Sequence, residues 1–470
     1  MHKVLIRPLE EKDAYISYKW RNDPEIWKFT GNKPDKVITQ EIELNWIKNV
    51  LRESNSFRFA ICVDDKYIGN IQITNVIEEK SGEYHVFIGE KSYWGKGIAT
   101  LATFQLIRFA KNRLNLKELF LYVKPENKVA IRVYEKCGFK KENDEIKMIC
   151  DLSQSFKPTV SVFMMTYNHE KYIKQALESI LMQKTNFDYE IVIGEDCSTD
   201  NTRKIINEYY DKYPGKFKLL LHEKNIGAIA NQTAVLKACT GKYIALCEGD
   251  DYWTDPYKLQ KQVDFLEANP DFVFTFHDAF ILNEKTGEKH LRIGDRIIDE
   301  IVDLKSVIIQ NNIPTASIVF RNILNSKSLP DWFCKIAKGD YGLCVLLAEK
   351  GPGKFFREPM SVYRVHDGGV WSGSDFEKIH KANLAFYNYL LKYFTDRDIQ
   401  NAIRAKIRWT NYNYGISQIR NANFFKGGIN IISNLQLRGD KRVRTNLRKI
   451  PGAVKTGLLK SRNFKVNKVH

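Results

Sequence analysis

At 470 residues the chain exceeds the roughly 250–300 residues at which a single hydrophobic core stops growing, so two domains or more are expected. Its 43% hydrophobic and 27% charged residues are those of an ordinary soluble protein, and no stretch approaches the ~18 uninterrupted apolar residues of a membrane-spanning helix. The formal charge of +17 is unevenly spread: from Leu437 to His470 eleven Lys or Arg stand against one acid, Asp440, so this tail alone carries +10 and the remainder is only mildly basic.

The start, Met1-His2-Lys3-Val4-Leu5-Ile6-Arg7, is too short in apolar length for a signal peptide and runs straight into a strand pattern, so a cytoplasmic protein is expected. Eight cysteines are scattered through apolar segments without a Cys-x-x-Cys pair, which points to reduced core thiols and away from disulfides or zinc. Three blocks follow one another. Residues 1–152 alternate strands (Ser56–Val63, Tyr67–Thr74, Glu83–Gly89) with a helical pattern at Ile98–Asn112. A polar stretch ending in Pro158 then opens residues 158–375. There strand Val160–Met165, helix Tyr172–Leu181, strand Tyr189–Gly194 and helix Thr202–Tyr210 predict a largely parallel sheet covered by helices. Residues 376–470 are helical to Leu435, then basic and irregular around Pro451-Gly452. The fold class is therefore α/β, two catalytic-sized domains followed by a helical, basic C-terminal extension.

In the first block, Tyr93-Trp94-Gly95-Lys96-Gly97-Ile98-Ala99-Thr100 joins a predicted strand to a helix. Small residues let the backbone approach a ligand there, and amide N–H groups at a helix N-terminus favour a phosphate. By itself such a turn is also an ordinary strand-to-helix connection. A second segment, Asn127-Lys128-Val129-Ala130-Ile131-Arg132-Val133-Tyr134-Glu135-Lys136-Cys137-Gly138-Phe139, lies some thirty residues on. Together the two resemble the GNAT acetyltransferase family, and Trp20-Arg21-Asn22-Asp23-Pro24 is similar to its branch that acetylates protein N-termini and amino groups of sugar nucleotides. The resemblance implies a GNAT fold, a mixed central sheet with helices, in which residues 94–100 and Asn127 bind acetyl-CoA and Tyr134 protonates the departing thiolate. It departs from the family at Trp94, where Gln or Arg is usual; backbone amides do most of the phosphate binding, so CoA binding is expected to survive. The acceptor amine must be neutral to attack, and Glu83 and His85, two apart and so on one face of a strand, are candidate proton acceptors beside a structural reading for each.

In the second block, Val160-Ser161-Val162-Phe163-Met164-Met165-Thr166-Tyr167-Asn168 is a buried strand ending in a polar turn, and the next strand ends in Glu195-Asp196-Cys197-Ser198-Thr199-Asp200. Tyr243-Ile244-Ala245-Leu246-Cys247-Glu248-Gly249-Asp250-Asp251-Tyr252-Trp253 is an apolar strand that stops in three carboxylates, hard oxygen ligands of the kind Mg²⁺ or Mn²⁺ accepts. With Asn225, Gly227 and Asn231 before it and Asp255-Pro256 after it, the segment resembles the inverting family-2 glycosyltransferases of GT-A fold, a Rossmann-like nucleotide-sugar-binding domain. That likeness places Thr166, Tyr167 and Asp196 on the nucleotide, and Glu248 (for the family's first Asp), Asp250, Asp251 and His366 about the metal and diphosphate. It makes Asp340 the base that deprotonates the acceptor hydroxyl, although a helix-capping aspartate fits the same pattern. Arg364, with His366 in the closing segment Val362–Gly369, reaches the diphosphate on the same view, while a lone histidine is also commonly structural.

The expected function is thus bifunctional, in bacterial surface polysaccharide or glycan biosynthesis: N-acetylation of an amino sugar from acetyl-CoA, and metal-dependent transfer from a nucleotide-sugar donor to a glycan or lipid-linked acceptor. A protein-amine acetyltransferase or a non-catalytic CoA-binding domain fused to the transferase is the alternative. The basic tail lacks a nucleic-acid fold and has one aromatic after Leu437, Phe464. It is therefore expected at the anionic inner face of the cell membrane and not on nucleic acid, or else simply solvated.

Overall fold

The computed structural model of the protein describes residues 1–28, 34–142, 146–154, 157–310, 312–324, 329–369 and 375–420. They fall into two units, one of Met1–Ala268, Thr315–Ile323 and Met360–Val362, the other of Asn269–Pro314, Leu324–Pro359 and the chain from Tyr363 onward.

The first unit holds two sheets. One runs in the order Val4–Pro8, Phe57–Val63, Lys66–Ile77, Ser81–Ile88, Glu118–Tyr122, Lys147–Asp151, Lys140–Lys141. Its neighbours are antiparallel except Ser81–Ile88 and Glu118–Tyr122, which are parallel and pair only from Ser81/Glu118 to Glu83/Phe120. Alternation decides which face each side chain covers. Phe59, Ile61 and Val63 join Ile71, Leu106, Leu119 and Phe139 in one core beneath helix Ile98–Arg113, whereas Ala60 faces Trp20, Ile47 and Tyr67 on the other side. Each of the Val, Leu, Ile and Phe side chains, fully buried, contributes about 1.5–3 kcal/mol.

The other sheet of this unit is ordered Phe217–Leu221, Tyr189–Glu195, Val160–Thr166, Tyr243–Leu246, Val319–Arg321, the first four parallel and the last antiparallel. Every residue of Tyr189–Glu195 is buried, as befits a parallel strand covered on both faces. Helices Ile173–Leu181, Thr202–Lys212, Ala228–Ala238 and Lys258–Ala268 supply the covering layers.

In the second unit the strands are antiparallel: Phe274–Asn283 turns back on Lys289–Leu291, and Ile301–Val302 pairs with the start of Gly353–Val365 at Lys354 and Gly353. Helix Gly339–Lys350 is buried nearly all round, from Tyr341 through Ala348, and is the centre of this unit's core. Tyr341 packs against Phe386 of helix Phe376–Tyr393, with ring centroids 5.0 Å apart. Helices Phe376–Tyr393 and Arg397–Arg420 bear out the expected helical stretch as far as Arg420, where the described chain ends, and its remainder to Leu435 and the basic tail lie outside the described residues. Cys137, Cys150, Cys239, Cys247 and Cys344 are buried thiols as expected, Cys62 and Cys197 are half-buried, and Cys334 is exposed; none is disulfide-bonded. Among the described residues no helix is long and apolar enough to cross a membrane.

Candidate active sites

Beyond Glu83 and Phe120 the two parallel strands of the first sheet no longer pair, and the glycine loop leaves the end of one of them. Gly95 and Gly97 have φ of 72° and 76°, a left-handed backbone that other residues adopt only with strain. A β-carbon at either would meet no atom within 4 Å, so the loop faces open space. Gly97 is the N-cap of helix Ile98–Arg113, whose first N–H groups have no partner within the helix. Ile98 is buried, leaving only its backbone to touch a ligand; Ala99 and Thr100 are half-buried, and Lys96 is exposed. The Trp94 indole donates to Ile88 O at 2.8 Å, which ties the unusual side chain back to the end of the preceding strand.

Tyr134 lies on helix Lys128–Lys136, its ring against Tyr84 at 5.7 Å and Phe139 at 5.9 Å. Burial pushes its pKa up to about 12, so the phenol keeps its proton at neutral pH. Asn127 caps that helix, its Oδ1 accepting from Ala130 N at 3.2 Å. Glu83 and His85 do share a face: their side chains are 3.6 Å apart, Asn75 donates to Glu83 Oε2 at 2.7 Å, and Thr74 Oγ1 lies 2.9 Å from His85 Nε2. Burial lowers the His85 pKa by more than Glu83 raises it, so the imidazole is neutral at pH 7 and able to take a proton. The Trp20–Pro24 segment is knitted into the same region. Trp20 is core, Arg21 donates to Glu43 Oε2 at 3.0 Å and covers the Trp46 ring at 4.2 Å, and Asp23 holds Lys91, just ahead of the glycine loop, at 2.8 Å.

In the second sheet the turns after neighbouring strands are laced together. Asp196 N donates to Thr166 O at 3.1 Å, and Asn168, at φ 56°, accepts from Thr199 N at 2.8 Å. Tyr167 is 42% exposed and Thr166 is buried, its Oγ1 without a hydrogen-bond partner among the described residues. Asp196 is buried, its two oxygens accepting from Ile226 N at 2.7 Å and Gly227 N at 3.0 Å. Both oxygens are thus engaged by the backbone, and a nucleotide contact must use their second lone pairs. Asn231 reaches Gly194 O at 2.9 Å, so Asn225, Gly227 and Asn231 frame the turn that Asp196 holds.

The acidic turn lies directly on the Thr166 turn. Gly249 N donates to Met165 O at 2.9 Å, and a β-carbon on Gly249 would come within 2.7 Å of Thr166 Oγ1 and 2.9 Å of His169 Nδ1. Asp250 is partly exposed and its Oδ2 is 3.7 Å from His169 Nε2, Glu248 is half-buried, and Asp251 is only 1% exposed. Sequence alone gave no sign of His169, since a lone histidine after a strand carries no pattern. Lys258 was equally silent: it is fully buried with its ammonium 4.3 Å above the Trp253 ring, and burial pushes its pKa down to about 7.

The second unit carries Asp340, Arg364 and His366. Lys338, not Asp340, occupies the N-cap of helix Gly339–Lys350, and Asp340 stands inside the first turn. Capping therefore does not account for it, and the helix dipole favours its charge. Half-buried Arg292 is its electrostatic neighbour: burial lowers the guanidinium pKa, and Tyr363 and Asp340 oppose that shift. Arg364 is buried and pairs with Glu284 at 2.8 Å; His366 is 7% exposed. Among the described residues no group of three or more His, Cys, Asp and Glu converges at metal-holding spacing.

A family model described as glycosyl transferase family 2 matches residues 161–326, and one described as acetyltransferase (GNAT) domain matches residues 3–140. An uncharacterised protein of Mycobacterium tuberculosis is 38% identical over 212 residues, 45% of this chain and 60% of that protein. The putative teichuronic acid biosynthesis glycosyltransferase TuaG of Bacillus subtilis is 31% identical over 204 residues, 42% of this chain and 79% of its own length. The solved structure of Staphylococcus aureus TarS 1–349 in complex with UDP-GlcNAc matches at 16% identity, over 66% of this chain and 92% of that one, with a TM-score of 0.44. The chain thus spans 60% of the length of the first curated relatives it matches.

Proposed function

From the premise that the chain belongs to glycosyl transferase family 2 and carries a GNAT acetyltransferase domain ahead of it, we propose that it performs two reactions in one surface-glycan pathway. It transfers a sugar, with inversion, from a nucleotide-sugar donor to a glycan or lipid-linked acceptor, and it N-acetylates an amino sugar with acetyl-CoA. The teichuronic acid assignment in the name of TuaG supports the pathway.

The observation that carries the transferase half is the seating of the acidic turn on the Thr166 turn through Gly249, which brings the buried Thr166 hydroxyl and a partly exposed carboxylate together at the carboxyl ends of parallel strands. Mg²⁺ is usually held by one or two carboxylates with substrate phosphates and water, so Asp250 with Glu248 or Asp251 is a fitting donor set for Mg²⁺ or Mn²⁺. A divalent ion there would neutralise charge developing on the leaving diphosphate. Asp340 takes the proton of the attacking hydroxyl as the new glycosidic bond forms and the bond to the diphosphate breaks. His366 and Arg364 belong to the diphosphate end of this scheme.

In acetyl transfer the amine nitrogen attacks the thioester carbonyl, the C–S bond breaks, Tyr134 gives its proton to the sulfur, and His85, oriented by Thr74 and Glu83, accepts the amine proton. The amides of residues 94–100 hold the CoA pyrophosphate. The basic tail, on its charge alone, holds the enzyme at an anionic membrane surface.

Mass spectrometry of the purified chain with acetyl-CoA, Mn²⁺ and a panel of amino-sugar nucleotides tests the combined reading. One sugar should gain an acetyl group, and Tyr134→Phe should slow that gain about a hundredfold, the lower part of the range for general-acid catalysis. Release of nucleotide diphosphate with no sugar acetylated would leave the transferase alone and turn the search to protein amines. His85→Gln should slow acetylation at pH 7 at least about tenfold. It should also remove the loss of rate that wild type shows as the pH falls below the ordinary imidazole value of about 6.5. An unchanged acidic limb would pass the role to another group.

A further inference from the structure

The helix that begins at the glycine loop is buried on a second face, and that face rests on the glycosyltransferase sheet. Gln105, fully buried, binds the first strand through Val4 O at 3.0 Å and Ile6 N at 3.2 Å. One turn on, Arg108 is 7% exposed; its guanidinium forks onto both carboxylate oxygens of buried Asp188, and its Nε donates to Gly215 O at 2.6 Å. Gly215 has φ 70°, and a β-carbon there would come within 1.8 Å of Gln105 O, so the transferase turn lies flat against the helix backbone. Arg113 extends the contact, pairing with Asp211 at 2.9 Å and covering the Tyr210 ring at 4.3 Å. Lys184 pairs with Asp64 at 3.1 Å across the same boundary.

Asp188 directly precedes strand Tyr189–Glu195, and its carbonyl accepts from Thr159 N at 3.0 Å at the head of the neighbouring strand. Buried Lys216, beside it, donates to Tyr189 O at 2.8 Å. A desolvated, bidentate ion pair is tolerated only in a fixed register, unlike the exposed polar contacts of two domains on a loose tether.

We propose that the acetyltransferase domain is a docked partner of the glycosyltransferase sheet, and that CoA bound at residues 94–100 stabilises that sheet through helix Ile98–Arg113 and Arg108. The second clause rests on the proposed CoA site. Ligand that binds only the folded form slows exchange of every amide whose opening requires the shared unit to open, by up to about a hundredfold at a hundred times Kd.

Hydrogen exchange of the full chain with and without coenzyme A, read by mass spectrometry, tests this. Slowing of at least about tenfold is expected in Ile98–Arg113 and also in Tyr189–Glu195 and Phe217–Leu221. In Arg108→Met the slowing should remain in Ile98–Arg113 and vanish from the two transferase strands. Arg108→Lys keeps a cation without the fork, and serves if the first variant fails to fold. Protection confined to residues 1–152 in the wild type overturns the docking proposal and leaves the CoA site standing. Protection nowhere overturns the CoA site and the coupling, and the docking falls with them unless Arg108→Met by itself speeds exchange in Tyr189–Glu195 and Phe217–Leu221.

Discussion

Asp340→Asn is expected to lower glycosyl transfer by about three orders of magnitude, within the ~10²–10⁴ that a positioned general base contributes, while leaving acetyl transfer intact. The substitution keeps the shape of the side chain and removes only its ability to take a proton. Asp340 lies in the first turn of a helix that is otherwise core, so its position is fixed by Tyr341, whose hydroxyl donates to Ile308 O at 2.8 Å, and by the apolar residues that follow. Lys338 and not Asp340 is the N-cap, so the variant loses only the favourable charge of the first turn, worth up to about 1 kcal/mol, and should fold. Release of nucleotide diphosphate in the presence of acceptor and Mn²⁺ is the measurement. A loss of less than about tenfold would move the base elsewhere, and a loss shared with acetyl transfer would mean that the fold had been damaged.

What the sequence disclosed follows from where burial writes a pattern. Val160–Thr166, Tyr189–Glu195 and Tyr243–Leu246 are short runs of apolar residues because both faces of a parallel strand are covered, and their ends are abrupt because the next residues hold the site. The glycine loop was legible for a related reason, since a left-handed backbone at Gly95 and Gly97 excludes nearly every other residue. The strands Phe274–Asn283 and Gly353–Val365 were not foreseen, because polar residues interrupt the apolar run of the first, and polar and exposed residues that of the second, which pairs with Ile301–Val302 from a distant part of the chain. Arg108 with Asp188 was invisible for the opposite reason: each reads as a surface charge until the fold brings them together across 80 positions. Asp196 shows a third case. The motif that marks it is real, but its two oxygens hold the Ile226–Gly227 backbone, a role that spacing cannot distinguish from a nucleotide contact.

The acidic turn separates into two parts that mutation should tell apart. Asp250 is partly exposed and close to His169, whereas Asp251 is sealed at 1% exposure beside the buried Cys247 thiol, whose pKa burial and the Asp251 charge push upward. Asp250→Asn should therefore cut glycosyl transfer about 10²–10³-fold, the usual loss when one group that stabilises developing charge is removed, and raise the Mn²⁺ concentration needed for half-maximal rate. Its unfolding temperature should stay at the wild-type value, because a partly exposed carboxylate has little burial to lose. Asp251→Asn should lower the rate as well, but with a stability loss of about 1–3 kcal/mol, since an amide in a carboxylate's buried setting leaves polar groups mismatched. Rate against Mn²⁺ concentration, with thermal unfolding of each variant, decides the matter. If Asp250→Asn leaves the metal requirement unmoved while Asp251→Asn shifts it without loss of stability, the roles are reversed and the turn must open before it can bind metal. If neither shifts it, the diphosphate is neutralised by cationic side chains instead, and Asp250 is retained for its contact with His169.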